Sequence, residues 1–203
     1  MAGYAISEQS GLGTFSIDAN ATFKTSGSAM PTFTSYDFDS LSTVEYYASG
    51  AQTVLESVSY GILTLSGSGT KSTGTNKSIH ITSNLTVSSS AAFTPGSNTT
   101  IYVGGNFELS GGSFTPGAVT DTICGNWTMS SGTFTSTGST MSFRGTGIQN
   151  ISATGAFNNL TVDKTAGYIN IGSDSVTVSG TITLTNGKIR TGNNKLIAGG
   201  SVS

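Results

Sequence analysis

The chain contains few charged residues, a single cysteine and no long apolar run. Charged residues make up 9% of its 203 residues, against roughly 25% in a typical soluble protein. Lys and Arg number 8 and are scattered singly, so the clustered cations that nucleic-acid binding needs are missing. No apolar run approaches the roughly 20 residues of a membrane-spanning helix. Because Cys124 is the only cysteine, an intrachain disulfide framework is excluded.

Hydroxyl residues and glycine take the place of the missing charges. The chain has 33 serines, 33 threonines and 28 glycines. A disordered chain would be rich in charge and poor in β-branched and aromatic residues, whereas here Thr, Val, Ile, Phe and Tyr alternate in runs that favour β-strands. The low-charge surface rich in Ser, Thr, Asn and Gly leads us to expect an extracellular or cell-surface location.

A short repeat runs through the middle of the chain. Gly105–Ser110 matches Gly125–Ser130 at an offset of 20, and the four-residue block Gly112–Thr115 recurs at the same offset. Chains with internal repeats of this length usually stack their repeats. The apolar columns predicted for this stack are Leu85, Phe107 and Trp127; Val87, Leu109 and Met129; and Phe93, Phe114 and Phe134.

A longer repeat has an offset of 97 residues. Gly50–Val54 aligns with Gly147–Ile151 at this offset, and several strand-like segments do the same. The chain would then divide into a first copy over residues 44–140 and a truncated second copy over residues 141–203.

Both repeats predict an all-β fold. Apolar residues alternate with Thr, Ser or Asn over four to six positions, and Gly, Asn or Asp then turns the chain, which places one set of side chains inward. A unit of about 20 residues with two or three strands is typical of one coil of a parallel β-helix, or β-solenoid. The alternative is a pair of antiparallel β-sandwich domains. We predict solenoid repeats over residues 41–203 and an irregular N-terminal cap or extension over residues 1–40.

Residues 43–200 resemble the β-strand repeats of very large bacterial surface and secreted proteins of the adhesin-like kind. The resemblance rests on the style of segments such as Gly50–Val54, Leu63–Lys71 and Gly125–Thr135. It implies a β-solenoid architecture and brings no catalytic residues with it.

Few residues suggest chemistry. Among the acidic residues, only Asp37 and Asp39 are close in sequence on one strand face, and a pair of that kind is usually solvated. His80 lies between two isoleucines, so it should face outward, and one histidine cannot form a metal site alone. Cys124 is expected at a strand end, buried or half-buried. We therefore predict no enzyme activity, no catalytic residues, no metal site and no cofactor.

Candidate binding residues are similarly sparse. An exposed platform that stacks against a carbohydrate would need several aromatic side chains on one face, and the best candidates are Tyr46, Tyr47, Tyr60 and Tyr102. The alternation of the strand places Tyr46 in the core and Tyr47 on the outside. Outward threonines form irregular rows, such as Thr86, Thr128 and Thr183. Asn84, Asn126 and Asn159 are best interpreted as turn residues.

The sequence thus predicts a structural protein: a stalk or filament subunit that associates end to end. Open solenoid ends expose strand edges that invite such association, with insertion of an N-terminal strand from residues 1–20 into a neighbour as one route. The alternative functions are an adhesin-like module that binds a glycan or another surface and, less favoured, a polysaccharide-cleaving enzyme.

Overall fold

A computed structural model describes residues 13–153, 155–172 and 175–203. These residues form short β-strands joined by turns and bends, and none of them is helical. The part of the chain described therefore contains no helix that could cross a membrane.

The strands are, in chain order, β1 (Thr14–Ile17), β2 (Thr22–Thr25), β3 (Ser35–Phe38), β4 (Thr43–Tyr46), β5 (Gln52–Thr53), β6 (Ser59–Tyr60), β7 (Ile62–Leu65), β8 (Ser68–Ser72), β9 (Ser78–Ile81), β10 (Leu85–Val87), β11 (Ser90–Thr94), β12 (Thr100–Val103), β13 (Phe107–Phe114), β14 (Thr120–Ile123), β15 (Trp127–Phe134), β16 (Thr140–Arg144), β17 (Gln149–Ser152), β18 (Ala156–Phe157), β19 (Asn159–Asp163), β20 (Ile169–Ile171), β21 (Ser175–Val178), β22 (Ile182–Asn186), β23 (Ile189–Arg190) and β24 (Lys195–Ala198).

The strands stack in three parallel ladders, which we call faces 1, 2 and 3. Face 1 runs β2-β4-β7-β10-β13-β15-β17-β20-β23, and face 3 runs from β6 through β9, β12, β14, β16 and β19 to β22. Face 2 contains β5, β8, β11 and the second halves of β13 and β15, followed by β18, β21 and β24. Within one coil the chain passes from face 3 to face 1 and then to face 2, as β9, β10 and β11 do.

This arrangement is a β-solenoid of about 9 coils of about 21 residues each, so the predicted fold class is confirmed. On face 1, register partners lie 19 residues apart at the closest, from Val44 to Leu63, and 24 at the most, from Trp127 to Ile151. The corners absorb these differences in length. Sandwich domains would need antiparallel ladders, whereas the pairings along all three faces are parallel.

Apolar side chains of successive coils share interior columns because the strands pair in register. One column on face 1 consists of Val44, Leu63, Leu85, Phe107, Trp127, Ile151 and Ile171. A column on face 3 consists of Tyr60, Ile81, Val103, Ile123, Phe143 and Val162. All of these side chains are buried. Since no single coil can enclose its own apolar face, stacking is the source of the core.

Stacked pairing begins earlier in the chain than the sequence suggests. β2 pairs with β4 over four residues, and β1 pairs with β3, so the boundary expected at residue 40 falls inside the stack. The repeat pattern is hidden here because this region packs aromatic side chains, with Phe15 stacked on Phe33 and edge-on to Phe23. Residues 1–12, which include most of the predicted inserting strand, lie outside the described residues.

The 97-residue repeat connects strands that lie on different faces of the solenoid. It aligns Val44–Tyr46 on face 1 with Met141–Phe143 on face 3, and Ile79–Ile81 on face 3 with Val176–Val178 on face 2. Strands on all faces use the same alternation of apolar and hydroxyl residues, so a sequence match cannot tell one face from another.

Candidate functional site

The aromatic columns expected from the sequence lie in the interior. The rings of Phe93 and Phe114 stack at 5.4 Å between centroids, and those of Phe114 and Phe134 at 5.7 Å. Phe107 and Trp127 stack at 4.1 Å. Leu85 continues the column of Phe107 and Trp127, and Val87, Leu109 and Met129 form the neighbouring column. All nine side chains are buried, so they stabilise the stack and present no surface to a ligand.

A buried lysine and glutamine join three coils at one corner. The Gln52 amide nitrogen donates to the carbonyl oxygens of Thr25 and Gly27, at 3.0 and 2.6 Å. The Lys71 ammonium donates to the Gln52 amide oxygen at 2.8 Å, and backbone carbonyls complete its shell. Burial lowers the pKa of Lys71. The cage contains oxygen acceptors and no carboxylate, so hydrogen bonds alone compensate the buried charge.

The same arrangement recurs at another corner of the stack. The Gln149 amide nitrogen donates to the carbonyls of Ile123 and Gly125, and the buried Lys164 donates to the Gln149 amide oxygen at 2.5 Å. Burial likewise lowers the pKa of Lys164. Sequence reasoning did not identify these residues, although Gln52 and Gln149 are aligned by the 97-residue repeat. A polar residue at a position where the alternation predicts an inward apolar side chain is the sequence signal that could have identified them.

Asp121 is the one carboxylate enclosed among the described residues. It occupies an interior column of face 3, beside Met141, and is 1% exposed. Its Oδ1 accepts a 2.7 Å hydrogen bond from the Ile101 amide, while Oδ2 has no hydrogen-bond partner. Burial raises the pKa of Asp121 to about 7. A carboxyl group in this environment holds its proton far more tightly than in water.

Tyr46, expected in the core, and Tyr60, a candidate for an exposed platform, are both interior. Tyr46 and Tyr60 are fully buried, and their hydroxyls lie 3.1 Å apart. Burial raises the pKa of Tyr46 to about 12 and that of Tyr60 well above its usual value. Tyr60 is therefore no part of a carbohydrate platform. Tyr47 and Tyr102 are exposed, at 44% and 39%, but they belong to different faces.

The exposed polar residues of face 3 include a small aromatic pair. His80 stacks on Tyr102 at 4.8 Å between ring centroids, and its Nδ1 lies 3.2 Å from the Ser59 hydroxyl. The Cys124 Sγ lies 3.5 Å from the Tyr102 hydroxyl oxygen, and the interaction with Cys124 raises the pKa of that hydroxyl. His80 faces outward and Cys124 is half-buried, as expected. Each ring covers one face of the other, and Tyr102 is still 39% exposed.

Asp37 and Asp39, the acidic pair noted in the sequence, lie at the surface. Both side chains are exposed, and the Asp39 carboxylate accepts a hydrogen bond from the Leu41 amide. Among the described residues no group of three His, Cys, Asp or Glu side chains is placed to hold a metal ion.

Outward hydroxyls are more regular on face 3 than the sequence indicated. Thr86 and Thr128 lie in one outer column of face 1, on either side of Glu108, whereas Thr183 belongs to face 3. Two outer columns of face 3 contain no charged side chain: Thr120, Thr140 and Asn159 in one, and Thr122, Ser142, Thr161 and Thr183 in the other, where Ser142 is only 2% exposed.

Asparagines form a ladder along the corner that precedes face 1. The Asn84 amide oxygen accepts from the Asn106 backbone amide at 2.9 Å, and Asn106 and Asn126 repeat the contact at 2.8 Å. Asn126 then accepts from Asn150, and Asn150 from Asn170. Turn residues at a corner thus become coil-to-coil contacts. Asn159 makes a contact of the same kind with the Thr181 amide.

No protein-family model, no curated protein and no solved structure matches the chain.

Proposed function

We propose that the chain is a structural element of an extracellular stalk or filament, lengthened by stacking further coils end to end. The observation that carries the proposal is the coil containing β22–β24. Leu184 and Val202 continue interior columns of face 3 and are nevertheless exposed there, at 40% and 62%. β23 and β24 are each the last strand of their ladder, so one edge of each meets no further strand of the described chain. Edges of this kind pair readily with another chain.

The composition and the repeat style support the extracellular part of the proposal. A surface of hydroxyls, amides and few charges needs no basic or acidic partner, and the repeat resembles that of large bacterial surface proteins. The proposal assigns no catalytic role to the chain.

Self-association should depend on the exposed apolar side chains of the β22–β24 coil and not on exposed apolar side chains elsewhere on the surface. Sedimentation velocity at rising concentration, with electron microscopy of the same samples, should show rods that grow in steps of about 43 Å, the height of nine coils at the interstrand spacing. Leu184→Lys should abolish growth, because Leu184 continues the interior column of Val162 and the charge would lie where the next coil stacks.

Ile148 provides the matched control. It is also an exposed aliphatic residue, at 54%, but it lies at a corner of the stack. Ile148→Lys should leave rod growth unchanged. A wild-type chain that remains a single compact particle at every concentration, or equal inhibition by both lysines, would contradict the proposal.

A second candidate function is adhesin-like binding of a glycan or another surface. The uncharged hydroxyl columns of face 3 favour it, because their spacing is fixed by the ladder at about 4.8 Å. A glycan array should then give signals that Tyr102→Ala reduces and Tyr47→Ala does not, since Tyr102 lies on this face. A blank array would count against this candidate and leave the structural proposal untouched.

A further inference from the structure

The ladder of face 3 is interrupted near the beginning of the stack. β1 and β3 form a sheet of two strands, and the seven-stranded sheet of face 3 starts again at β6. Phe38 of β3 still contacts Tyr60 of β6, with ring centroids 5.6 Å apart. The two strands are thus neighbours in the stack, yet they are not paired with each other.

The buried tyrosines explain the interruption. The Tyr46 hydroxyl accepts a 2.9 Å hydrogen bond from the Leu55 amide, and the Tyr60 hydroxyl donates to the Leu55 carbonyl at 2.7 Å. Both backbone groups of Leu55 are therefore held by side chains, and Ser57 adopts a φ of 60°. A non-glycine residue in this region bends the chain away from an extended strand. As a result β6 contains only Ser59 and Tyr60.

The unpaired edge of β3 presents backbone hydrogen-bonding groups. The amides of Ser35 and Asp39 donate to the carbonyls of Gly13 and Ile17 on the β1 side. In a parallel ladder alternate residues bond to opposite neighbours, so the amides of Tyr36 and Phe38 point towards the opposite edge, where β6 does not pair.

A groove of about 490 Å³ opens between the two unpaired strands. It is lined by the segments 34–38 and 56–59. Its two charged residues are both acidic. Glu56 already contacts Lys77 at 3.5 Å and accepts from the Gly74 amide. Asp37 is exposed and makes no ion pair within the described chain.

We propose that this groove, the β3 groove, binds an extended polypeptide segment that adds as a strand to β3 and places a basic side chain against Asp37. Unpaired amides and carbonyls at the strand repeat are complementary to another strand. The acidic lining favours a cationic side chain over an anionic one. This proposal does not depend on the structural role proposed above, because the groove lies away from the β22–β24 coil.

Two blocked hexapeptides of alternating Val and Thr provide the probes, one with a central Lys and the other with a central Glu. Each is titrated into the ¹⁵N-labelled full chain and followed by amide chemical shifts. The Lys peptide should shift the Tyr36 and Phe38 amides and bind about threefold more tightly than the Glu peptide, the ratio typical of one exposed ion pair. Asp37→Lys should reverse this preference.

Glu108→Lys is the matched control, since Glu108 is an exposed acid on face 1; it should leave the preference for the Lys peptide unchanged. The proposal is overturned if neither peptide shifts the β3 amides. It is also overturned if Asp37→Lys and Glu108→Lys alter peptide affinity equally, which would indicate attraction by net charge alone. Loss of rod growth by the chain would have no bearing on either outcome.

Discussion

Asp121 makes the stability of the solenoid depend on pH, and one substitution should remove that dependence. The pKa of this carboxyl rises from 3.8 to about 7 on folding. Each pKa unit corresponds to 1.36 kcal/mol, so a rise of about three units amounts to about 4 kcal/mol. Below pH 3.8 both the folded and the unfolded chain hold the proton, and the group has no effect. Between pH 3.8 and 7 only the folded chain holds it, so stability falls as the pH rises. Above pH 7 the full penalty remains.

Urea unfolding at several pH values between 4 and 8 measures this effect. Trp127 is the only tryptophan, is buried, and belongs to the same coil as Asp121, so its fluorescence reports on the relevant part of the stack. Asp121→Asn imitates the protonated side chain and keeps an acceptor for the Ile101 amide. The variant should match the wild type near pH 4 and exceed it by about 4 kcal/mol at pH 8.

Glu108→Gln is the control, because it removes an exposed acid and should leave the pH profile parallel to that of the wild type. If the wild type and Asp121→Asn kept a constant difference from pH 4 to 8, the carboxyl would not hold its proton in the folded chain, and the reasoning from burial would be refuted.

Three further substitutions, and a fourth that serves as a control, test the packing of the coils. Phe114→Ala should lower the free energy of unfolding by about 3–5 kcal/mol, since it leaves a cavity in a stacked aromatic column; a loss below 1 kcal/mol in urea titrations would contradict this. Gln52→Leu should cost about 2–3 kcal/mol, because it removes one hydrogen bond from the buried Lys71 ammonium and one from each of the carbonyls of Thr25 and Gly27. Gly112→Ala should lower the melting temperature strongly, since a Cβ there would lie 2.0 Å from a backbone oxygen at a φ of 59°. Gly147→Ala, whose Cβ would meet nothing within 4 Å, should change the melting temperature by no more than a few degrees.

The sequence predicts the stacking well where the repeat is regular. The blocks around Phe107 and Trp127 recur at an offset of 20, and the structure pairs these two residues directly. Side chains that repeat in kind and position can share one interior column only if their strands lie in register, so the match carries structural information.

What the sequence does not reveal is which positions depart from the repeat and why. Gln52 and Lys71 occupy apolar positions, and their role emerges only when the corner carbonyls of another coil are placed beside them. The hydroxyl of Tyr60 suits a surface position, yet in the structure it donates to the Leu55 carbonyl from a fully buried ring. Partners of this kind lie in other coils or across a corner, beyond the reach of local alternation.

The three ladders also determine how the rod would respond to tension. Their hydrogen bonds run along the stacking axis, so a pull on the two ends of the solenoid loads the bonds of a terminal coil before those of the coils within. The chain should then peel one coil at a time, and each coil of about 21 residues would release roughly 70 Å of extended backbone. Such a rod would lengthen in steps under load and keep its remaining coils intact.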